Sequence, residues 1–288
     1  MSDFTRITGA TQVIALIGDP VEHSRSPVMH NVAFQAAGLN LVYIALPVAA
    51  ADVEAAVVGL RALNLKGANV TMPHKTAVIP YLDEVSTCAS LIGAVNTIVR
   101  RGGRLVGDNT DGRGFVRAVE EKAGVKLRGR RVFLFGAGGA ARAVALELAR
   151  IGVSLLTLTN RNIDRAEELA ARVNEITGCE TTVVPWNTSA WATFLEGADV
   201  IVNCTRAGML GEPDFVAAVP WSALKRHALV CDAVYEPLHT NLLKTAAENG
   251  HPILDGLSFL LYQGVLAFEL WTGVPAPVEA MARVLYGA

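Results

Sequence analysis

This chain of 288 residues has no large excess of either charge, no closely spaced cysteine pair and no long apolar run. Lys and Arg number 25 against 27 Asp and Glu, and the net charge of −2 offers no basic surface to a nucleic acid. The densest apolar stretch, residues 257–271, contains polar residues and is shorter than the roughly 20 residues that a membrane-spanning helix needs. We therefore expect neither a nucleic acid nor a membrane as a partner.

Metal and disulfide motifs are also missing. No two of the four cysteines form a Cys-x-x-Cys pair, and the six histidines show no His-x-x-x-His spacing. We therefore expect reduced thiols and no metal site. The start of the chain lacks the cationic residues and apolar centre of a signal peptide, which predicts a cytoplasmic protein.

Apolar residues make up 51% of the chain and are arranged in short runs. Such runs, separated by helical patterns, are typical of parallel strands buried on both faces, so the predicted fold class is α/β with a mostly parallel sheet. At about 150 residues a domain, the length favours two domains. The predicted strands cover residues 12–18, 41–48, 65–71, 131–135, 154–159, 199–205 and 229–234.

Two helices and one hairpin are predicted between these strands. The first helix has Asp52 as its N-cap, and its apolar face consists of Val53, Ala56, Val57, Leu60 and Leu63. The second helix ends at Gly152, and its apolar face consists of Ala141, Val144, Ala145 and Leu148. Residues 95–111, with Arg-Gly-Gly-Arg in the middle, predict an antiparallel hairpin that indicates a domain boundary nearby.

A glycine-rich turn follows the predicted strand at residues 131–135. It matches the G-x-G-x-x-G/A pattern of dinucleotide-binding domains, with Ala141 in the third position. In that pattern free backbone N–H groups and the positive end of the helix dipole hold a pyrophosphate. The alternative is that the glycines only shape a tight turn. The residues expected to line the cofactor here are Gly136, Ala137, Gly138, Gly139 and Ala140.

The end of the next strand favours NADP over NAD. NAD-binding versions carry an acidic residue about 20 positions after the glycines, where it accepts hydrogen bonds from the ribose hydroxyls. This chain has Asn160 and Arg161 there, with Arg165 one turn later. A guanidinium pairs with a 2′-phosphate through charge-assisted hydrogen bonds, whereas a carboxylate repels it. Asp164 argues against this reading, and both arginines could instead be solvated charges at a helix start.

Three polar segments in the first half follow strand ends, where open α/β sheets bind ligands. The first holds Ser24 and Ser26, two hydroxyls suited to a carboxylate, although Ser26 also fits a helix N-cap. The second holds Lys75, one of six lysines against 19 arginines, which is either a proton-exchanging group or a surface lysine. The third is the hairpin, which brings Asn96 towards its far end near Asp111. Asp111 alternatively caps the helix that follows.

Eight segments of the chain occur in the order typical of one known family, and together they are more specific than any one of them. They are HSRSPVMHN, NVTMPHK, GAVNTI, GDNTDG, GAGGAARA, TNR, VYEPLHTNLL and the late Gln263. On these segments the chain closely resembles the shikimate dehydrogenase family. The resemblance implies a substrate domain of residues 1–110 plus 257–288, and a Rossmann-type NADP domain of residues 111–256.

The resemblance also implies an activity and the residues that perform it. The activity is the NADP-linked interconversion of 3-dehydroshikimate and shikimate in aromatic amino acid biosynthesis, by way of chorismate. Lys75 and Asp111 would be the catalytic acid–base pair. Ser24, Ser26 and Tyr235 would hold the carboxylate of the substrate, and Asn69, Thr71, Asn96 and Gln263 would hold the ring hydroxyls. Thr205 and Gly256 would join the cofactor site.

Three departures from the family pattern keep other substrates open. Arg206 stands where the family usually has a small polar residue, and Phe259 and Gly264 stand where Met and Ala are more usual. A paralogue acting on quinate, aminoshikimate or another cyclic hydroxy acid is therefore an alternative. A non-catalytic sensor of a dinucleotide or metabolite, and another two-domain NADP enzyme such as a methylene-tetrahydrofolate dehydrogenase, are the remaining ones. Either a monomer or a homodimer is compatible with the sequence.

Overall fold

The computed structural model of the protein describes residues 7–287. Strands and helices alternate over most of this range. The strands are β1 (Gln12–Gly18), β2 (Leu41–Pro47), β3 (Gly67–Val70), β4 (Glu84–Val85), β5 (Thr97–Arg101), β6 (Arg104–Asp108), β7 (Arg131–Phe135), β8 (Leu155–Thr159), β9 (Thr181–Val183), β10 (Val200–Asn203), β11 (Leu229–Asp232) and β12 (Ile253–Leu254). The helices are α1 (Ser26–Ala36), α2 (Val53–Ala62), α3 (Thr87–Ile92), α4 (Asp111–Lys122), α5 (Gly139–Ile151), α6 (Ile163–Thr177), α7 (Thr188–Glu196), α8 (Asn241–Glu248), α9 (Gly256–Thr272) and α10 (Val278–Tyr286).

The chain divides into two compact units. One unit runs to Thr110 and resumes at Gln263, and the other covers Asp111–Tyr262. The first division lies at the start of α4. The second division lies inside α9, at Gln263 rather than at residue 257, where the sequence predicts the boundary.

Six strands form the sheet of the first unit, in the order β2-β1-β3-β5-β6-β4. β1 is parallel to β2 and β3, whereas β5 is antiparallel to both β3 and β6. The predicted hairpin is therefore confirmed as β5 and β6. The end of α9 packs on this sheet, since Trp271 donates its Nε1–H to the Ile98 carbonyl at 2.9 Å.

Six parallel strands form the sheet of the second unit, in the order β12-β11-β10-β7-β8-β9. Counted from β7, this is the strand order 3-2-1-4-5-6 of the Rossmann fold. Both faces of β7 are buried, which explains why its sequence is apolar without alternation. In the core Phe135 stacks on Phe215, with ring centroids 4.3 Å apart, and meets Trp191 edge to face.

The predicted α/β class and all seven predicted strands are confirmed, with ends that agree within two residues. The strands β4, β9 and β12 were not predicted, because two or three residues are too few to form an apolar run. The expectation that Leu63 belongs to the apolar face of α2 is wrong. The helix ends at Ala62, and Leu63 is 76% exposed. Asp52 occupies the N-cap position, but its side chain makes no cap hydrogen bond.

Within residues 7–287 no helix combines the length and the apolar character that crossing a bilayer requires.

Two helical glycines allow a matched test of the packing between α4 and α5. An added Cβ at Gly112 in α4 would lie 2.2 Å from the Ala143 carbonyl oxygen in α5, whereas one at Gly59 in α2 would meet nothing within 4 Å. We expect Gly112→Ala to cost about 1–3 kcal/mol, because backbone must move to accept the methyl group. Gly59→Ala should instead stabilise by about 0.5–1 kcal/mol. Thermal unfolding of both variants measures this, and a Gly112→Ala protein as stable as Gly59→Ala would contradict the close helix packing.

Candidate active site

The loops that follow β1 and β3 lie against each other in the first unit. The Thr71 N–H donates to the Ile17 carbonyl at 2.9 Å. An added Cβ at Gly18 would lie 2.2 Å from Cγ2 of Thr71, so the approach requires a glycine. The structure therefore brings Thr71 next to the loop that leads to Ser24 and Ser26.

Ser24 and Ser26 lie at the start of α1, where the sequence predicts that Ser26 is the N-cap. The Ser24 Oγ accepts a hydrogen bond from the Ser26 N–H at 3.2 Å, so Ser24 satisfies a backbone group at the start of α1. Ser26 is itself the first residue of α1. The expectation that Ser26 is the N-cap is wrong, because the helix starts one residue earlier than that reading requires. The Ser26 side chain is buried and hydrogen-bonds Tyr43 instead.

Asn69 is the centre of a buried hydrogen-bond network. Its Oδ1 accepts from the Tyr43 hydroxyl at 2.8 Å, and its Nδ2 donates to the Asn96 carbonyl at 3.0 Å. The Asn96 side chain donates to the Thr110 Oγ1 and accepts from the Thr110 N–H, both at 2.9 Å. The network fixes both amides and ends at Thr110, the residue directly before Asp111.

Tyr43 belongs to this hydrogen-bond network, although the sequence did not predict it. It lies within the apolar run of β2, where nothing distinguishes it from a core residue. Its ring stacks on that of His30, with centroids 4.6 Å apart. Burial raises the pKa of Tyr43, so its hydroxyl stays a neutral donor, and burial lowers the pKa of His30 to about 3. Only the pairing of β2 with β1 and the contacts of the Tyr43 side chain reveal its place in the network.

Lys75 and Gln263 are half-buried residues of the first unit. The Val95 N–H donates to the Lys75 carbonyl at 2.7 Å, so the main chain of Lys75 lies beside the segment that leads to Asn96. Gln263 is the residue with which the chain returns to this unit. Asp111, which is 5% exposed, and Tyr235 belong to the second unit.

The glycine-rich turn lies where β7 meets α5 in the second unit. In the Rossmann strand order the ligand crevice opens between the ends of β7 and β10, where the topology reverses. Gly136 lies there with a φ of 113°, and an added Cβ would lie 3.0 Å from the Cys204 carbonyl oxygen beyond β10. Added Cβ atoms at Gly138 and Gly139 would meet nothing within 4 Å. The first N–H groups of α5 therefore border open space, which fits the pyrophosphate of a dinucleotide.

The end of β8 carries the residues expected to select NADP. The Asn162 side chain caps α6 by accepting from the Arg165 N–H at 3.2 Å, and Asn160 donates to the Asn162 carbonyl at 2.7 Å. The side chains of Arg161 and Arg165 are both exposed at this edge. Two guanidinium groups beside one strand end fit a 2′-phosphate.

Contacts within the second unit fix the positions of both Thr205 and Gly256. The Asn203 Oδ1 accepts from the N–H of Thr205 at 3.0 Å and from its hydroxyl at 2.7 Å. An added Cβ at Gly256 would lie 2.4 Å from the Val234 carbonyl oxygen, directly before Tyr235. Gly256 therefore has a structural reason to be glycine, in addition to its expected place in the cofactor site.

The three departures from the family pattern have partners in their own units. Arg206 forms an ion pair with Glu212 at 2.9 Å, which closes the loop after β10. Phe259 in α9 meets Phe115 in α4 edge to face, with centroids 5.8 Å apart. An added Cβ at Gly264 would lie 2.3 Å from the methyl end of Met29, so an alanine there requires the methionine to move.

Over residues 7–287 no cluster of three or more His, Cys, Asp or Glu is arranged to hold a metal ion.

Three family models match successive parts of the chain. The shikimate dehydrogenase substrate binding domain matches residues 16–98, and the shikimate / quinate 5-dehydrogenase model matches residues 117–211. The shikimate 5'-dehydrogenase C-terminal domain matches residues 256–286.

Individual relatives match almost the whole chain. A shikimate dehydrogenase (NADP(+)) of Desulforamulus reducens is 48% identical over 281 residues, which are 98% of this chain and 97% of the relative. The structure of shikimate 5-dehydrogenase from Listeria monocytogenes, in complex with shikimate and NAD, has a TM-score of 0.91 at 39% identity, covering 97% and 98% of the two chains. That from Thermus thermophilus, in complex with NADP(H) and shikimate, has a TM-score of 0.84 at 34% identity, covering 96% and 99%. This chain belongs to the shikimate dehydrogenase family.

Proposed function

We propose that this chain is an NADP-dependent shikimate dehydrogenase, which catalyses reversible hydride transfer between NADPH and 3-dehydroshikimate to give shikimate. The observation that carries this proposal is the 48% identity, over nearly the full length of both chains, to a relative of that name. It is supported by the buried amide network at the strand ends of the first unit and by the glycine-rich turn of the second.

Seven residues are proposed to bind the substrate. Ser26 and Asn69 both bond to the buried Tyr43 hydroxyl. This shared partner fixes the distance between Ser26, proposed to bind the substrate carboxylate, and Asn69, proposed to bind a ring hydroxyl. Such fixed spacing favours a ring that carries a carboxylate and hydroxyls over a flexible acid. In this proposal Ser24, Ser26 and Tyr235 hold the carboxylate, and Asn69, Thr71, Asn96 and Gln263 hold the hydroxyls.

Lys75 and Asp111 are proposed as the acid–base pair. When bound, the nicotinamide supplies the hydride. Negative charge then develops on the substrate oxygen, which needs a proton donor within hydrogen-bond reach. The Lys75 ammonium donates that proton and takes it back in the reverse direction. Asp111 follows Thr110, which the Asn96 network anchors, and its carboxylate is proposed to orient the ammonium.

The cofactor is proposed to lie along the carboxyl edge of the second sheet. The turn from Gly136 to Ala140 would hold the pyrophosphate, and Asn160, Arg161 and Arg165 would hold the adenosine 2′-phosphate. Thr205 and Gly256 would contact the nicotinamide half. Exposed guanidinium groups at the β8 end support NADP over NAD.

A second substrate class is favoured by two of the departures. Phe259 and Gly264 lie on either side of Gln263 in the sequence of α9, and both differ in side-chain volume from the Met and Ala that are more usual in the family. Activity on quinate, aminoshikimate or another cyclic hydroxy acid would follow from such a change. We further propose a cytoplasmic monomer or homodimer that acts in aromatic amino acid biosynthesis.

A substrate panel tests the proposed function directly. We expect purified protein to reduce NADP with shikimate, and with quinate at a lower kcat/KM, in an assay that follows NADPH absorbance. Turnover with none of the cyclic acids, combined with tight binding of one of them, would favour the sensor alternative. Folate-dependent activity would favour a methylene-tetrahydrofolate dehydrogenase.

Lys75→Ala tests the proton-transfer role. We expect kcat to fall by about 10² to 10⁴, the usual range for removing a general acid–base, with a smaller change in KM for shikimate. Lys66→Ala is a matched control, because Lys66 precedes β3 at its opposite end. A raised KM at unchanged kcat would instead make Lys75 an anchor for the substrate.

Arg161→Asp tests the cofactor preference. Replacing the guanidinium by a carboxylate should lower kcat/KM for NADP relative to NAD by about 10- to 100-fold, because a charge-assisted bond becomes a repulsion. Arg172→Asp makes the same charge change further along α6, where the side chain is also exposed, and should leave the ratio unchanged. An unaltered ratio in Arg161→Asp would show that another group selects the cofactor.

A further inference from the structure

Asp232 is a buried carboxylate that joins three segments of the second unit. It is the last residue of β11 and is 2% exposed. Its Oδ1 accepts from the Asn203 Nδ2 at 2.9 Å and from the Val234 N–H at 3.0 Å, and its Oδ2 accepts from the Thr240 hydroxyl at 2.7 Å. The carboxylate therefore ties together the end of β10, the turn after β11 and the start of α8.

Asn203 extends this connection to the loop after β10. Its Nδ2 also donates to the Ala207 carbonyl at 3.1 Å, while its Oδ1 accepts from the Thr205 N–H and hydroxyl. The Thr205 Oγ1 in turn accepts from the Ala207 N–H at 3.0 Å. Both the nitrogen and the oxygen of the Asn203 side-chain amide therefore bond to this loop, at Ala207 and Thr205 respectively. This loop lies against Gly136 of the glycine-rich turn, as the Cys204 carbonyl shows.

The environment of Asp232 makes its charge sensitive to pH. Burial raises the pKa of Asp232 to about 6, although its three hydrogen-bond donors oppose the shift. The titratable groups that face it are the thiols of Cys204 and Cys231, and Asp111 acts on the same Cys204 thiol. Burial raises the pKa of both thiols, so they stay neutral. The carboxylate is ionised at pH 7.5 and takes up a proton as the pH falls through about 6.

Protonation changes what this carboxyl group can offer its partners. The Asn203 and Val234 groups are N–H donors and cannot reverse, so they keep the carbonyl oxygen of the neutral acid. The protonated Oδ2 then donates to the Thr240 Oγ1, so the Thr240 hydroxyl changes from donor to acceptor in this bond. Hydrogen bonds to an ionised acceptor are roughly twice as strong as neutral ones, so all three contacts weaken.

We propose that Asp232 is a positioning residue for the cofactor, which holds the Cys204–Ala207 loop against the glycine-rich turn only while its carboxylate is ionised. This inference rests on the proposed function, because that function puts the cofactor beside Thr205. It assigns Asp232 no contact with substrate or cofactor. Asp232 acts through Asn203, and its loss of charge lowers cofactor affinity without removing any group from the cofactor site.

Binding of NADP to the free enzyme tests the proposal without turnover. Asp232→Asn keeps the shape of the side chain and the bonds to Asn203 and Val234, and it mimics the protonated acid at every pH. We expect Asp232→Asn to raise the Kd for NADP about 3- to 10-fold at pH 7.5. The ratio of the two Kd values should fall towards one at pH 5.5, where most of the wild-type carboxyl groups are protonated. The ratio cancels the titration of the 2′-phosphate itself, whose second pKa is also about 6.

Asp199→Asn is the matched control. Asp199 stands at the opposite end of β10 and likewise accepts from a backbone N–H, that of Arg131 at 2.8 Å, as well as from Lys225. Its Kd for NADP should equal that of the wild type at both pH values. A ratio near one for Asp232→Asn at pH 7.5, or a raised ratio that does not change with pH, would overturn the proposal, since a purely structural role has no pH dependence of this kind.

Hydrogen exchange of the wild-type protein keeps the test independent of any variant and of the proposed activity. The amides of Thr205 and Ala207 are bonded within the loop, so their protection, corrected for intrinsic rates, should fall about 3- to 10-fold between pH 7.5 and 5.5. The Arg131 amide, bonded to Asp199, should keep its protection. Unchanged protection at Thr205 would overturn the proposal. A wild-type protein that does not bind NADP would defeat the proposed function while leaving this readout intact.

Discussion

Polar groups at the carboxyl ends of buried parallel strands must find partners, because an unsatisfied buried donor or acceptor costs about 1–3 kcal/mol. Each unit meets this constraint with an asparagine at a strand end. Asn69 on β3 bonds to Tyr43 on β2, across the intervening β1, and Asn203 on β10 bonds to Asp232 on the neighbouring β11. In both cases the asparagine that pairs with a buried polar group also bonds to a segment at the carboxyl edge of the sheet, where ligands bind in such sheets.

The two networks differ in charge, and the difference has a physical consequence. The Asn69 network consists of amides and hydroxyls, and its geometry does not depend on pH. The Asn203 network ends in a buried carboxylate whose desolvation raises its pKa to about 6. The Asn69 network therefore contains no ionised side chain, whereas the Asn203 network contains one group that titrates close to neutral pH.

The departures from the family pattern stand close in sequence to proposed binding residues, since Arg206 follows Thr205 and Gly264 follows Gln263 in the chain. Arg206 is held by Glu212, Phe259 by Phe115, and Gly264 leaves room for Met29. Each change has a partner within its own unit. Variation of this kind alters side-chain volume and loop contacts around the candidate site, and specificity between similar substrates depends on such differences in contact.

Local sequence determined the elements that depend on short-range chemistry. The apolar runs specified the strands, Gly152 ended α5 in the left-handed conformation, and the glycine-rich turn marked the nucleotide side. Only the tertiary structure decided the roles of Tyr43 and Asp232, whose neighbours in sequence are ordinary strand residues. Their partners lie 26 and 29 positions away in Asn69 and Asn203, so the hydrogen bonds exist only after the strands pair in register. The start of α1 also required the backbone path, since Ser26 fits an N-cap by sequence but is the first helical residue, and its N–H donates to the Ser24 hydroxyl.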